Sequence, residues 1–150
     1  MRFASSGERK RAIRRIPQLK EEEQADFVPL LTEFAESDLD SSIRENCLTV
    51  LGQLGHKESA PLCAMALKDK SPDVVRAALG AMDEVRTVES GPALASWVKE
   101  ADFTENNPNL GAAIRLLGKL EYAELADFLK TKSVDNQTHS ETRLAILLYF

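Results

Sequence analysis

Two histidines, His56 and His139, and two cysteines, Cys47 and Cys63, are the residues of this chain best suited to metal binding or nucleophilic chemistry. A structural zinc site needs four such ligands, a catalytic one three and an open position. Neither histidine has another histidine or a cysteine at ligand spacing. Both fall at expected turns or helix starts, where they read as surface polar groups. The cysteines fall on apolar helix positions whose counterparts elsewhere in the chain are Ala, Ile or Leu, so they read as buried, reduced thiols. No HExxH, CxxC, GxSxG, GxGxxG or Walker loop occurs. Acid pairs such as Asp83-Glu84 lie on the polar side of their helix as a solvated face. The residues therefore point to no catalytic site, no cofactor and no metal.

Charge is the next chemistry to weigh, and it is uneven. Residues 1–20 hold seven basic side chains and one acid, a net of +6, while the other 130 carry 12 basic and 23 acidic side chains, a net of −11. Arg11, Arg14 and Arg15 are spaced i, i+3, i+4 and share a helix face. Such a face could meet nucleic-acid phosphate, but a phosphate-binding surface should carry Lys and Arg along its length. The acidic body argues against that, and arginines also keep a terminal helix solvated.

The elements that position these groups repeat. Cys47, Leu48, Leu51 and Leu54 form one stripe of a 3.6-period helix. The same slots recur as Ala12, Ile13, Ile16 and Leu19, as Ala78, Leu79, Met82 and Val85, and as Ala113, Ile114, Leu117 and Leu120. Ile146, Leu147 and Phe150 read as an incomplete fifth copy. The first slot is small in most copies. A second helix repeats on its own: Leu31, Phe34 and Ala35 match Cys63, Ala66 and Leu67, then Leu94, Trp97 and Val98, then Leu125, Phe128 and Leu129. Trp97 is thereby a core position rather than a stacking platform. Pro29, Pro61 and Pro92 stand two residues before the first of these slots, as helix-start signals. Pro29 marks either a start or a kink. Two helices recurring every 31–35 residues are the signature of a solenoid.

The repeat unit resembles short HEAT-like repeats, including those called PBS-lyase HEAT-like repeats. The resemblance rests on Asp38-Leu39-Asp40-Ser41-Ser42-Ile43-Arg44 followed by Leu51-Gly52-Gln53-Leu54-Gly55. A second match is Asp69-Lys70-Ser71-Pro72-Asp73-Val74-Val75-Arg76, one residue longer than the family spacing. A third is Leu117-Gly118-Lys119-Leu120, with Leu110 at the expected arginine place. The resemblance implies an all-α superhelix of about four and a half antiparallel helix pairs, in one array over 1–150, with repeats near 8–36, 41–69, 72–101 and 107–131 and a half repeat at 139–150. It also implies that Arg44 and Arg76 bond aspartates and carbonyls between repeats, with Asp38, Asp40, Asp69 and Asp73 as partners. Gly52 and Gly118 permit close helix approach. The family includes DNA glycosylases and bilin lyases, but no residue here singles out either activity.

Composition fits an ordinary globular chain, 43% apolar and 29% charged, with no apolar run long enough to span a bilayer. The arginine-rich start lacks the apolar segment of a signal peptide, so a cytoplasmic place is expected. The function expected is a non-enzymatic protein–protein interaction scaffold. Its contacts would come from exposed second-helix residues: Lys68, Lys99, Glu100 and Lys130, with Lys132, Glu33 and Asp127 beside them. Arg11, Arg14 and Arg15 are the candidates at the other end. The acidic excess favours a protein or peptide partner of basic character over nucleic acid, and no membrane. The 100–109 loop is about four residues longer than its equivalent and is a further contact candidate. The apolar end, Leu144 to Phe150, suggests a fragment of a longer array, or a last helix that docks on a partner or a second copy.

Overall fold

Ser5 starts the first helix through a capping box. Its hydroxyl accepts from the Glu8 N–H while the Glu8 carboxylate accepts from the Ser5 N–H, which satisfies two donors that a helix start leaves open. Pro17 cannot continue the helix, so a short 3-10 turn, Ile16–Gln18, follows. The computed structural model describes residues 4–150. Among these, nine α-helices carry the fold: α1 (Ser6–Arg15), α2 (Glu21–Ser37), α3 (Ser41–Gln53), α4 (Ala60–Ala66), α5 (Pro72–Val85), α6 (Ser90–Glu100), α7 (Pro108–Lys119), α8 (Ala126–Val134) and α9 (Ser140–Leu147). The described residues contain no strand. The chain is an all-α solenoid in which odd-numbered helices carry the first-helix slots and even-numbered ones the second.

The contacts divide the chain into two compact units, one ending at Arg86 and the other Thr87–Phe150. The division falls inside the third repeat, between its two helices. In the first unit, α3 packs on α1, α2 and α5, and α4 packs on α2 and α5. Its core holds Ile13, Ile16, Leu31, Ile43, Leu48 and Leu51, each fully buried. Burying one such side chain is worth about 1.5–3 kcal/mol. In the second unit, α7 packs on α6 and α9, and α8 on α9, around Leu94, Leu110, Ile114, Leu117, Leu125 and Leu129.

Glycine sets the closest approaches, as expected. A Cβ on Gly52 would stand 2.7 Å from the Ala81 Cα, which brings α3 and α5 to near backbone contact. A Cβ on Gly118 would stand 3.1 Å from the Tyr149 Cα. Gly91 makes room for a side chain instead, since its Cβ would stand 2.5 Å from the Tyr122 ring.

Two readings need correction, and a third gains a structural role. Pro29 is not a start. It lies within α2, which begins eight residues before it, whereas Pro61 stands in the first turn of α4. The fifth copy is shifted by one residue: Ala145 and Ile146 are fully buried, while Leu147 is 67% and Phe150 64% exposed. A small first slot was the cue, and Ala145 supplies it. The 100–109 loop, a contact candidate by its extra length, is also anchored in the core. Phe103 is buried, meets Phe128 edge-on at 5.7 Å, and its carbonyl accepts from the His139 N–H at 2.8 Å.

Candidate partner-binding surfaces

The turns between repeats are built from one local device. Asp38, Asp69, Asp102 and Asp135 each accept, through Oδ1, the backbone N–H two residues on, at 2.9, 2.9, 2.8 and 2.9 Å. This Asx turn fixes the chain's exit from a second helix. Arg44, from inside α3, grips Asp69 with Nε at 2.7 Å and its second terminal nitrogen at 2.8 Å, and donates to the Asp38 carbonyl at 2.7 Å. Both side chains of the pair are mostly buried. The Arg44 guanidinium holds the Asp69 carboxyl below its ordinary range, and Asp69 in turn raises Arg44.

The basic cluster of α1 is largely spoken for. Arg9 pairs with Asp38, the same clamp one repeat earlier, and stacks over the Phe34 ring at 5.6 Å. Lys10 lies 3.6 Å from Asp40. The Asp40 carboxyl is held well below the usual range, chiefly by the Ser42 hydroxyl and then by that of Ser6. The Arg14 Nε donates to the Asn46 Oδ1 at 2.6 Å. Arg11 and Arg15 remain exposed without such partners. Arg2 lies outside the described residues.

Arg76 does not repeat the Arg44 clamp. The extra residue in its segment turns it outward, 63% exposed, beside Asp73 at 2.7 Å and Glu45 at 3.5 Å. Leu110, which stands in the Arg44 slot of the next copy, is fully buried.

The other candidates are scattered. Lys68 follows α4, Lys99 and Glu100 close α6, and Lys130 lies in α8; all are exposed. Glu100 accepts from the Ser96 hydroxyl at 3.4 Å. Lys130 lies 3.4 Å from Asp127 and 5.7 Å from the Phe150 ring centre. Lys132 is turned inward, over the Phe103 and Phe128 rings at 5.2 and 5.8 Å. The thiols are sealed: burial pushes Cys47 up to about 12 and Cys63 to about 11. His56 Nδ1 shares a hydrogen with the Ser59 hydroxyl at 2.9 Å, and His139 caps α9 by accepting from the Glu141 N–H at 3.3 Å. No group of His, Cys, Asp or Glu among the described residues could hold a metal ion. No described helix is long and apolar enough to cross a membrane.

Two surface grooves lie in the first unit. One, of about 260 Å³, runs between α3 and α5 over Ala77, Gly80 and Ala81, with Glu45, Glu84 and Arg76 on its rim. The other, of about 370 Å³, lies between α2 and the end of α3, with Val28, Pro29 and Leu54 in its floor and Glu21 and His56 on its rim. Sequence periodicity marks which residues of one helix pack inward and so passes over such grooves, which form where two helices meet.

A family model for HEAT repeats matches residues 5–82 and 28–106. No curated protein matches the chain, and no solved structure does. The matched span takes in both Asp–Arg clamps, the Gly52 crossing and the first three helix pairs, and on that span the chain belongs to the HEAT repeats.

Proposed function

We propose that this chain is a non-enzymatic protein–protein interaction scaffold. HEAT repeats are generally protein-interaction scaffolds and typically not enzymes. The observation that carries the reading is how the side chains with chemical potential are used. The thiols are buried, Arg9 and Arg44 are spent closing their own helix pairs on Asp38 and Asp69, and Arg44 also holds the Asp38 carbonyl of the turn before it. What faces outward is a mixed, mostly acidic polar surface with Lys68, Lys99, Glu100 and Lys130 on the second helices. Such a surface suits a protein or peptide partner of basic character.

Nucleic-acid binding through α1 is the weaker reading. It needs a free basic face, yet Arg9, Lys10 and Arg14 are engaged with Asp38, Asp40 and Asn46. The exposed leucines of α9 and its C-cap (Leu144, Leu147 and Leu148) support a second role, docking on a partner or another copy.

The test uses the whole chain as bait in lysate, with and without nuclease, and identifies retained molecules by mass spectrometry. A defined protein retained after nuclease, and lost when Glu33, Glu100 and Asp127 are reversed to lysine, supports the scaffold. Retention of nucleic acid alone, lost with salt and with reversal of Arg11, Arg14 and Arg15, overturns it. For α9, light scattering decides: a strict monomer that binds no hydrophobic dye removes that role.

A further inference from the structure

Pro29 has no N–H to give to the carbonyl of Ala25, four residues earlier in α2, so that acceptor lacks its usual helical donor. The Thr32 hydroxyl turns to the Val28 carbonyl at 3.0 Å and does not replace it. Ala25 and Pro29 both line the 370 Å³ groove, and Glu21 lines it one turn earlier. Glu21, Ala25 and Pro29 are spaced i, i+4, i+8, so the carboxylate, the carbonyl and the ring follow one line along α2. Val28 and Leu54 supply apolar floor beside that line. The Gln24 amide, whose hydrogens could have served these acceptors, is spent on the Pro17 and Leu19 carbonyls at 3.2 and 2.8 Å. The lining of the groove thus combines a carboxylate and a donor-poor stretch of backbone with the apolar surface of Val28, Pro29 and Leu54.

We propose that this groove seats a lysine or arginine side chain of a partner protein segment. Its aliphatic stem would lie on Val28, Pro29 and Leu54, and its charged head would reach Glu21 and the Ala25 carbonyl. Long basic side chains have this division of apolar stem and polar head. The charge around the site agrees with the choice. Residues 20–26 hold four acids and one base, and the chain beyond residue 20 is net −11. An acidic or neutral polar occupant would leave the floor uncovered or meet Glu21 with the wrong sign.

This inference rests on the scaffold reading and narrows it to one surface. The test is an NMR titration of the full ¹⁵N-labelled chain with the peptide acetyl-Gly-Leu-Arg-Leu-Gly-amide and its Glu counterpart. The arginine peptide should shift the amides of Glu21, Ala25, Val28 and Leu54, and the glutamate peptide should leave them still. Glu21→Lys should weaken binding about five- to tenfold. Pro29→Ala, which returns a donor to the Ala25 carbonyl, should weaken it about two- to fivefold, with thermal melting showing that both variants fold. Shifts confined to another surface overturn the groove and leave the scaffold reading standing. Absence of any shift, or equal shifts with both peptides, overturns the groove, and the lysate experiment then judges the scaffold by itself.

Discussion

The Asp38 and Asp69 turns of the first unit and the Asp102 and Asp135 turns of the second share one backbone device but are fastened by different chemistry. In the first unit a buried guanidinium closes each turn: Arg9 on Asp38, Arg44 on Asp69. In the second, the Asp102 carboxylate takes the Thr104 hydroxyl and N–H, and the fastening passes to rings. Phe103 packs on Phe128 under Lys132, and the Tyr149 hydroxyl donates to the Tyr122 carbonyl, with Gly91 leaving room for the Tyr122 ring. A local Asx turn is thus enough to specify the chain path, while the bond that locks it is interchangeable between ionic and aromatic. An ionic lock is sensitive to pH; an aromatic one is not.

The two units carry separate reporters, which makes the comparison breakable. Both cysteines lie in the first unit and the single tryptophan, Trp97, in the second. The largest expected effect is on thiol labelling. With Cys47 raised from 9.0 to about 12, its thiolate population at pH 8 falls roughly a thousandfold against the unfolded chain, and that of Cys63, at about 11, about a hundredfold. Native labelling by a thiol reagent should be slower by at least those factors. Because the folded state keeps protons that the unfolded chain releases above pH 9, these thiols withdraw stability as pH rises beyond that point. Labelling at the unfolded rate in native buffer would break the packing described for α3 and α4.

Phe103→Ala should cost about 3–4 kcal/mol, as loss of a buried aromatic does. It should lower the urea midpoint seen by Trp97 fluorescence and leave thiol protection in place. If both reporters fall together, the units form one cooperative block. Arg44→Leu should cost about 2–3 kcal/mol, the scale of charged hydrogen bonds left unmade, and here the thiols should respond and Trp97 should not. Asp69 has a lowered folded pKa, so its contribution is full above the unfolded value of 3.8 and is lost as pH falls through the folded one. The wild-type first unit should therefore weaken in acid, and Arg44→Leu should flatten that slope.

The smallest effects concern first-helix ends. Gly55 and Glu121 both follow a first helix in the left-handed region, at φ 65° and 52°, each closing the same pair of turn bonds. Glycine is at ease there and glutamate is not. Gly55→Ala, with nothing within 4 Å of its new Cβ, should cost about 1 kcal/mol in the first unit. Glu121→Gly should gain about 0.5–1 kcal/mol in the second. Chemical denaturation of each variant, read by its own reporter, checks both signs.

How much of this was legible depends on where each signal sits. The core slots of α3, α5 and α7 follow from period alone, and Gly52 and Gly118 announced their close approaches by recurring in register. The Arg44–Asp69 bond followed from the family resemblance. Arg9 was hidden because a neighbouring run of bases made it look like part of a surface cluster, although Arg9 stands 35 residues before Arg44, the spacing of their helices, and Asp38 stands 31 before Asp69, within one residue of theirs. Arg76 misled because one inserted residue rotates a helical position by about 100°. Phe103 was missed because a lone aromatic in a loop has no period. The α2–α3 groove was missed because exposed residues on two helices leave no pattern in one. The candidate contacts Lys68, Lys99, Glu100, Lys130, Arg11 and Arg15 were readable as exposed, but exposure alone does not bring them together.

The clamps also bear on how quickly the fold is made. Arg9 and Asp38 are 29 residues apart, and Arg44 and Asp69 are 25. Each lock thus closes a loop no longer than one helix pair, with a small entropy of closure. Chains whose contacts are this local fold on the fast side of the microsecond-to-second range. Neither ion pair draws on a residue beyond its own helix pair and the turn that ends it, so closing one asks nothing of the other.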